Sequence, residues 1–327
     1  MPTRRQFAAG LALAVTAPAV ISKPVLAQSF PARPIKLILP YAAGGGTDAI
    51  ARVVAQAMSE KLGQAVVIEN VATGAGNVAT ATAAAAAPDG YTMLMANQGP
   101  IAVNPHIMKT VSVDTLTAFD AVTQVAETPL VVIVTEGSRY KTFADLVTAM
   151  KQNPGKLTYG SAGNGSASHL AMLLLAHVAK IEAVHVPYRG AAPAISDVLG
   201  GQTDFMITTV PSVIGLIESG KMRALAVTTK GRAANLKDVP TIAESGFPDY
   251  EINAWYGFIV PARTPRPIID VLRGAVVDAL GMQAVRERLD KDGSQAIGST
   301  PEAFSAFIKA EHARWKTIAA AANIQIN

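Results

Sequence analysis

The sequence predicts an α/β protein of two modules, each a parallel sheet covered by helices. Three observations carry this. Strand-like and helix-like segments alternate in βαβαβ order from residue 35 to residue 96, an order that implies a parallel sheet with helical crossovers. The alternation restarts near residue 130. The chain has 327 residues, 50% apolar and 16% charged, which is enough to bury two ordinary cores and too apolar for a disordered chain.

Residues 35–39 form a short apolar strand stopped by Pro40. The turn Ala42-Ala43-Gly44-Gly45-Gly46 leads into a helix over 48–61, where Ile50, Val53, Val54 and Ala57 recur at helical spacing and Gly63 ends the run. A strand over 66–69 follows, then Gly74-Ala75-Gly76, an alanine-rich helix, the turn Pro88-Asp89-Gly90 and a strand over 92–96. The second module opens with a strand over 130–134. An amphipathic helix over 143–151 closes at Asn153-Pro154-Gly155, and a strand over 157–160, a Ser/Gly/Asn loop and a helix over 166–178 come next. Segments 183–186, 191–199, 205–207, 210–219 and 222–227 continue the alternation. A strand over 255–260 and the prolines 261, 265 and 267 lead to three closing helices, the last over 301–321. The second module reads as inserted into the first.

The leader is unlike the rest. Thr3-Arg4-Arg5-Gln6-Phe7 is a basic head, residues 7–21 are apolar but too short for a comfortable span, and Val25-Leu26-Ala27 offers small residues for a signal peptidase. Residues 1–27 therefore read as a cleaved secretory signal, of either the twin-arginine or the ordinary type. The formal charge of +4 from 28 basic and 24 acidic residues then shrinks. Loss of Arg4, Arg5 and Lys23 leaves 25 basic residues against 24 acidic, so the mature chain is near neutral.

Several chemistries are excluded or weak. With no cysteine, there is no disulfide scaffold, thiolate metal site, catalytic cysteine or cysteine lipid anchor. No nucleophile elbow, Walker A loop or His-Glu-x-x-His occurs, and none of the five histidines makes a metal-ligand pair with a nearby acid, so no metal or cofactor is expected. Gly74-Ala75-Gly76-Asn77-Val78-Ala79 matches a loose dinucleotide fingerprint but follows the second strand and lacks the ribose-binding acid. The scattered lysines and arginines make no nucleic-acid patch.

Two loops remain, one per module: Tyr41-Ala42-Ala43-Gly44-Gly45-Gly46-Thr47-Asp48 and Tyr159-Gly160-Ser161-Ala162-Gly163-Asn164-Gly165-Ser166. Each follows a strand and opens a helix. Free N–H groups, the positive end of the helix dipole and glycines that let backbone approach make such a loop ready for a carboxylate or phosphate. Thr47, Ser161, Asn164 and Ser166 add neutral donors, and neither loop contains a lysine or arginine. Two such loops in two halves favour a ligand held between lobes. Side chains added at Gly45 or Gly165 are expected to fill space the anion needs.

The chain resembles the periplasmic solute-binding receptors of tripartite tricarboxylate transporters, the Bug (TctC-like) family. The matching stretches include Arg33-Pro34-Ile35, the first loop with Ala51-Arg52, Val67-Ile68-Glu69-Asn70, Ala87-Pro88-Asp89-Gly90-Tyr91-Thr92, the second loop with His169-Leu170, His185-Val186-Pro187-Tyr188-Arg189-Gly190, Gly200-Gly201-Gln202-Thr203-Asp204 and Asp238-Val239-Pro240-Thr241. The resemblance implies a two-lobed, type II-like Venus flytrap in which each lobe is a mixed, mostly parallel sheet flanked by helices. Lobe 1 would span 28–127 plus 251–327 and lobe 2 would span 128–250, with the last helix placed to pack across both. It implies a non-enzymatic, periplasmic, monomeric receptor for a small organic acid, a di- or tricarboxylate or an aromatic acid, which it delivers transiently to the membrane subunits of such a transporter. The implied binding residues are Tyr41, Gly44, Gly45, Gly46, Thr47, Asn97, Ser161, Asn164, Gly165, Ser166, His169, Arg189 and Asp204. Beside that stand plainer readings: Asp48 and Arg52, at i and i+4, pair on their helix; Arg189 either meets a distal carboxylate or holds its own loop; and Asp204 repels a carboxylate unless water or an ammonium group intervenes. Two other functions stay open, an exported hydrolase using Ser161 or Ser166 with His169 and a receptor that presents its ligand to a signalling partner.

Overall fold

The computed structural model describes residues 30–321 and 324–325, so the leader reading lies outside the described residues. The first lobe begins β1 (Ile35–Leu39), α1 (Gly46–Leu62), β2 (Val66–Asn70), α2 (Asn77–Ala84) and β3 (Thr92–Asn97). β2, β1 and β3 pair in parallel. A helical segment over Gly99–Val103 and α3 (Asn104–Ile107) follows.

The long strand β4 (Phe119–Thr135) then passes from one sheet to the other. Only its second half is apolar enough to read as a strand in the sequence; the first half alternates, with Asp120, Thr123, Gln124 and Glu127 among apolar residues. The strand continues through Pro129. Proline lacks an N–H, and its place is the point where β4 changes partners, so a missing ladder donor costs little there.

The second lobe holds α4 (Phe143–Gln152), β5 (Thr158–Ser161), α5 (Ala167–Ala179), β6 (Val184–Pro187), α6 (Ala191–Leu199), β7 (Phe205–Thr209), α7 (Val210–Glu218) and β8 (Met222–Val227). β6, β5 and β7 are parallel, while β7 and β8 flank the second half of β4 antiparallel. The chain returns through β9 (Asn253–Pro261), which lies between β3 and the first half of β4, antiparallel to both. α8 (Arg266–Gly281), α9 (Gln283–Lys291), β10 (Gln295–Ala296) and α10 (Pro301–Ala321) complete it.

Each lobe is thus a mixed sheet, three parallel strands extended by antiparallel crossing strands. α10 packs on β4 and the 99–107 segment of lobe 1. The lobes join where Leu130 N–H donates to Thr228 Oγ1 (2.9 Å), Thr228 N–H to Leu130 O (3.0 Å) and Ile252 N–H to Thr228 O (3.2 Å). Two adjacent crossings tied by three hydrogen bonds leave few torsions to absorb lobe closure.

Candidate functional site

Both glycine-rich loops stand at carboxyl ends of parallel strands and face each other across the gap between lobes. Asp48, buried in the first turn of α1, organises the first loop. Its Oδ2 accepts from Gly44 N–H (3.1 Å) and Arg52 Nε (2.8 Å), and its Oδ1 from Arg52 Nη2 (2.9 Å) and Asn70 Nδ2 (3.2 Å). Asn70 Nδ2 also holds Tyr41 O at 2.9 Å. Burial pushes the Asp48 carboxyl up, but the donors Arg52, Gly44 and Asn70 outweigh it and hold the group below the usual carboxylate range. The pairing expected for Asp48 and Arg52 is present, and it spends the Gly44 amide.

The second loop is held from behind by aromatic rings. Ser161 is fully buried; its Oγ accepts from Gly163 N–H at 3.0 Å and lies 2.6 Å from His185 Nε2. Ser166 caps α5 by accepting from His169 N–H at 3.4 Å. Gly165 N–H donates to His169 Nδ1 at 3.1 Å. The His169 ring stacks on His185 at 4.0 Å, and His185 stacks on Tyr159 at 4.9 Å. Burial, reinforced by His185, lowers His169 to about 3, and burial lowers His185 to about 4. Both rings are neutral near pH 7, which leaves Nδ1 of His169 free to accept. These contacts do not make a hydrolase: Ser161 meets His185 instead of His169 and is closed to substrate, Ser166 is spent as a cap, and His169 Nδ1 serves Gly165.

A cavity of about 50 Å³ lies between the loops. The heads of α1 and α5 both reach it, through Gly46 and Thr47 on one side and Ser166, Ala167 and Ser168 on the other. In a first helical turn the amides have no preceding carbonyl to bind, so both ends carry partial positive charge. Tyr41, Gly45, Asn97, Gln98, Thr208, Thr209 and Tyr256 also line the cavity, and among the described residues no lysine or arginine does. Tyr41 Oη, Asn97 Oδ1 and Gln98 Oε1 are buried without a hydrogen-bond partner. A wider chamber of about 410 Å³ adjoins it, sharing Tyr41 and Ala162 and bordered by Gly74, Asn77, Asn164 and Arg189.

Of the residues expected at the site, Tyr41, Gly45, Gly46, Thr47, Asn97 and Ser166 meet at the inner cavity, and Asn164 and Arg189 at the outer chamber. Gly44, Ser161, Gly165 and His169 support the loops from outside both spaces. Asp204 is a correction. It lies at the amino end of β7, opposite the loops, where its Oδ2 accepts from Thr158 N–H (2.8 Å) and Thr158 Oγ1 (3.0 Å). The Gly200-Gly201 turn that precedes it serves the far edge of the sheet.

Ser168, Thr208, Thr209 and Ser212 were not singled out in the sequence. Thr208 and Thr209 end β7 just before α7, the same strand-to-helix junction as the two loops but without glycine to flag it. Ser212 accepts from Gly46 N–H at 2.8 Å across the gap, and Ala42 N–H donates to Arg189 O at 3.3 Å. The lobes are therefore closed, and glycines form the seam. A Cβ on Gly46 would lie 2.3 Å from Thr209 Oγ1, one on Gly99 2.1 Å from Gly165 O, and one on Gly165 2.0 Å from Asn104 Oδ1. The space beside Gly165 thus belongs to Asn104 of the other lobe and not to an anion, a correction to the reason given for that glycine.

The chain matches the family model described as "Tripartite tricarboxylate transporter family receptor" (TctC) over residues 50–324. It is similar to the solved periplasmic binding protein BugD, 32% identical with a TM-score of 0.87 over 90% of this chain and 99% of that one. It is also similar to a protein of R. palustris solved with adipate, 35% identical with a TM-score of 0.87 over 90% and 99%. MatC from Rhodopseudomonas palustris, solved with bound malate, is 29% identical with a TM-score of 0.85 over 88% and 99%.

Proposed function

The chain belongs to the tripartite tricarboxylate transporter receptor family, whose members are solute-binding receptors and not enzymes, and from that premise we propose that it captures a small organic carboxylate between its lobes and hands it to the membrane subunits of such a transporter. The observation that carries the proposal is the inner cavity, where two helix heads from different lobes converge without a cationic side chain. Dipoles and neutral donors hold an anion while leaving it releasable. Adipate and malate in the similar structures support the ligand class.

In this reading one carboxylate sits among Gly45, Gly46, Thr47 and the head of α5, and the rest of the ligand extends toward Asn164 and Arg189. The lobes are 28–127 with 251–327, and 128–250, hinged at Leu130, Thr228 and Ile252. The protein works as a monomer in the periplasm, reached through the leader at 1–27.

The test is a thermal-shift and calorimetric panel of mono-, di- and tricarboxylates, aromatic acids included. A ligand at a hundredfold excess over its Kd stabilises by about 2.7 kcal/mol. A panel without any shift overturns the proposal.

A further inference from the structure

The inner cavity has a second chemical face. Gln98 is buried, and its Nε2 donates to the Glu311 carboxylate of α10 at 3.4 Å. A carboxylate only accepts, so this bond fixes which end of the amide points away from α10. Glu311 Oε2 is held in turn by Trp255 Nε1 at 3.0 Å, and its Oε1 by Arg314 Nη1 at 3.3 Å. The Gln98 end left over is Oε1, buried and unpartnered in a residue that lines the cavity. Beside it, Asn97 Nδ2 donates to Thr47 Oγ1 at 3.3 Å, and the buried Oδ1 has no partner.

We infer that the ligand carries a hydrogen-bond donor, a hydroxyl or amino group, on the carbon next to the carboxylate held in this cavity, and that Gln98 and Asn97 read it. This rests on the carboxylate-capture proposal and narrows its substrate class. The helix heads supply donors and positive potential to the carboxylate, while two amide oxygens offer only acceptance. An unsubstituted acid leaves those oxygens buried and unpaired, the arrangement that most strongly rejects an analogue lacking one polar group. The cavity of about 50 Å³ exceeds the roughly 10–15 Å³ needed to hold a single water.

The test is calorimetry of the full-length protein with matched acids: succinate against malate and aspartate, propionate against lactate and alanine, and phenylacetate against mandelate. The expected result is binding at least about tenfold tighter for the donor-bearing member of a set. Within a set, the hydroxy acid against the amino acid tells which donor is preferred. Gln98→Met removes one acceptor and the near-isosteric Asn97→Leu removes the other; either variant should bring the pair within about threefold. If either variant fails to fold, the wild-type series and the other variant decide. Unsubstituted acids that bind as tightly as their partners overturn the inference and leave carboxylate capture standing. If no carboxylate binds, in these sets or in the wider panel, the capture proposal falls and the inference with it.

Discussion

Replacing Gly99 with alanine separates closure from folding. Gly99 begins the helical segment behind the cleft, and its φ lies outside the left-handed region, so alanine fits its backbone. Within lobe 1 the nearest side-chain atom to the new methyl is Tyr41 Oη, at 3.1 Å. Across the gap it falls 2.1 Å from Gly165 O and 3.0 Å from Gly165 C. A carbon-to-oxygen contact needs roughly 3.3 Å, so the closed lobes must part by about 1 Å. Overpacking of this kind costs about 1–3 kcal/mol. Parting also stretches the Gly46 to Ser212 and Ala42 to Arg189 hydrogen bonds, worth about 1 kcal/mol together if each is partly lost. A closed form weaker by about 2–4 kcal/mol lowers ligand affinity roughly 30- to several-hundred-fold. The ligand-free protein should melt at or slightly above the wild-type temperature, because alanine reduces the entropy of the unfolded chain. Calorimetry gives the affinity and small-angle scattering gives the closure. A control is Gly274→Ala in α8, where a Cβ meets nothing within 4 Å; it should gain about 0.5–1 kcal/mol with unchanged affinity. Wild-type affinity in a folded Gly99→Ala protein refutes the reasoning.

Three further outcomes are expected. Asp48→Asn removes the charge that gathers Gly44, Arg52 and Asn70, and denaturant melts should show a loss of about 2 kcal/mol together with weaker ligand binding. The lowered His169 pKa means that at this residue the unfolded chain takes up a proton below about pH 6.5 while the folded one does not until about pH 3; its share of the stability lost on acidification through that window is about 1.4 kcal/mol per pH unit, beside a like share from His185 down to about pH 4, and His169→Gln should reduce the slope in melts between about pH 6 and 4.5 by its own share. Thr142→Ala breaks the capping box with Asp145 at the head of α4, so melts should show about 1 kcal/mol of lost stability with calorimetric affinity unchanged.

Most elements were legible because their signals are local. Ile50, Val54 and Met58 recur along the buried face of α1, and Gly63 ends it with φ 63°. The two anion-ready loops were legible for the same reason, since glycine clusters at strand-to-helix junctions are visible in a few residues. Asp204 misled because a Gly-Gly turn before a strand looks alike at either edge of a sheet. The first half of β4 escaped notice because its two sides lie against different neighbours, with residues 121–126 mostly buried despite Thr123 and Gln124.

The sequence by itself determined the order of elements, the two-module plan and the absence of cationic side chains from the two loops, all properties of consecutive residues. Only the tertiary structure decided which amides stay free, since Gly44, Gly163 and Gly165 each lose theirs to a nearby side chain and Gly46 gives its own to Ser212 of the other lobe. It also decided what the glycines are for. Gly46 meets Thr209, and Gly99 meets Gly165, pairs separated by 163 and 66 residues. A contact of that kind leaves no mark on local spacing, because it exists only when two lobes close on each other.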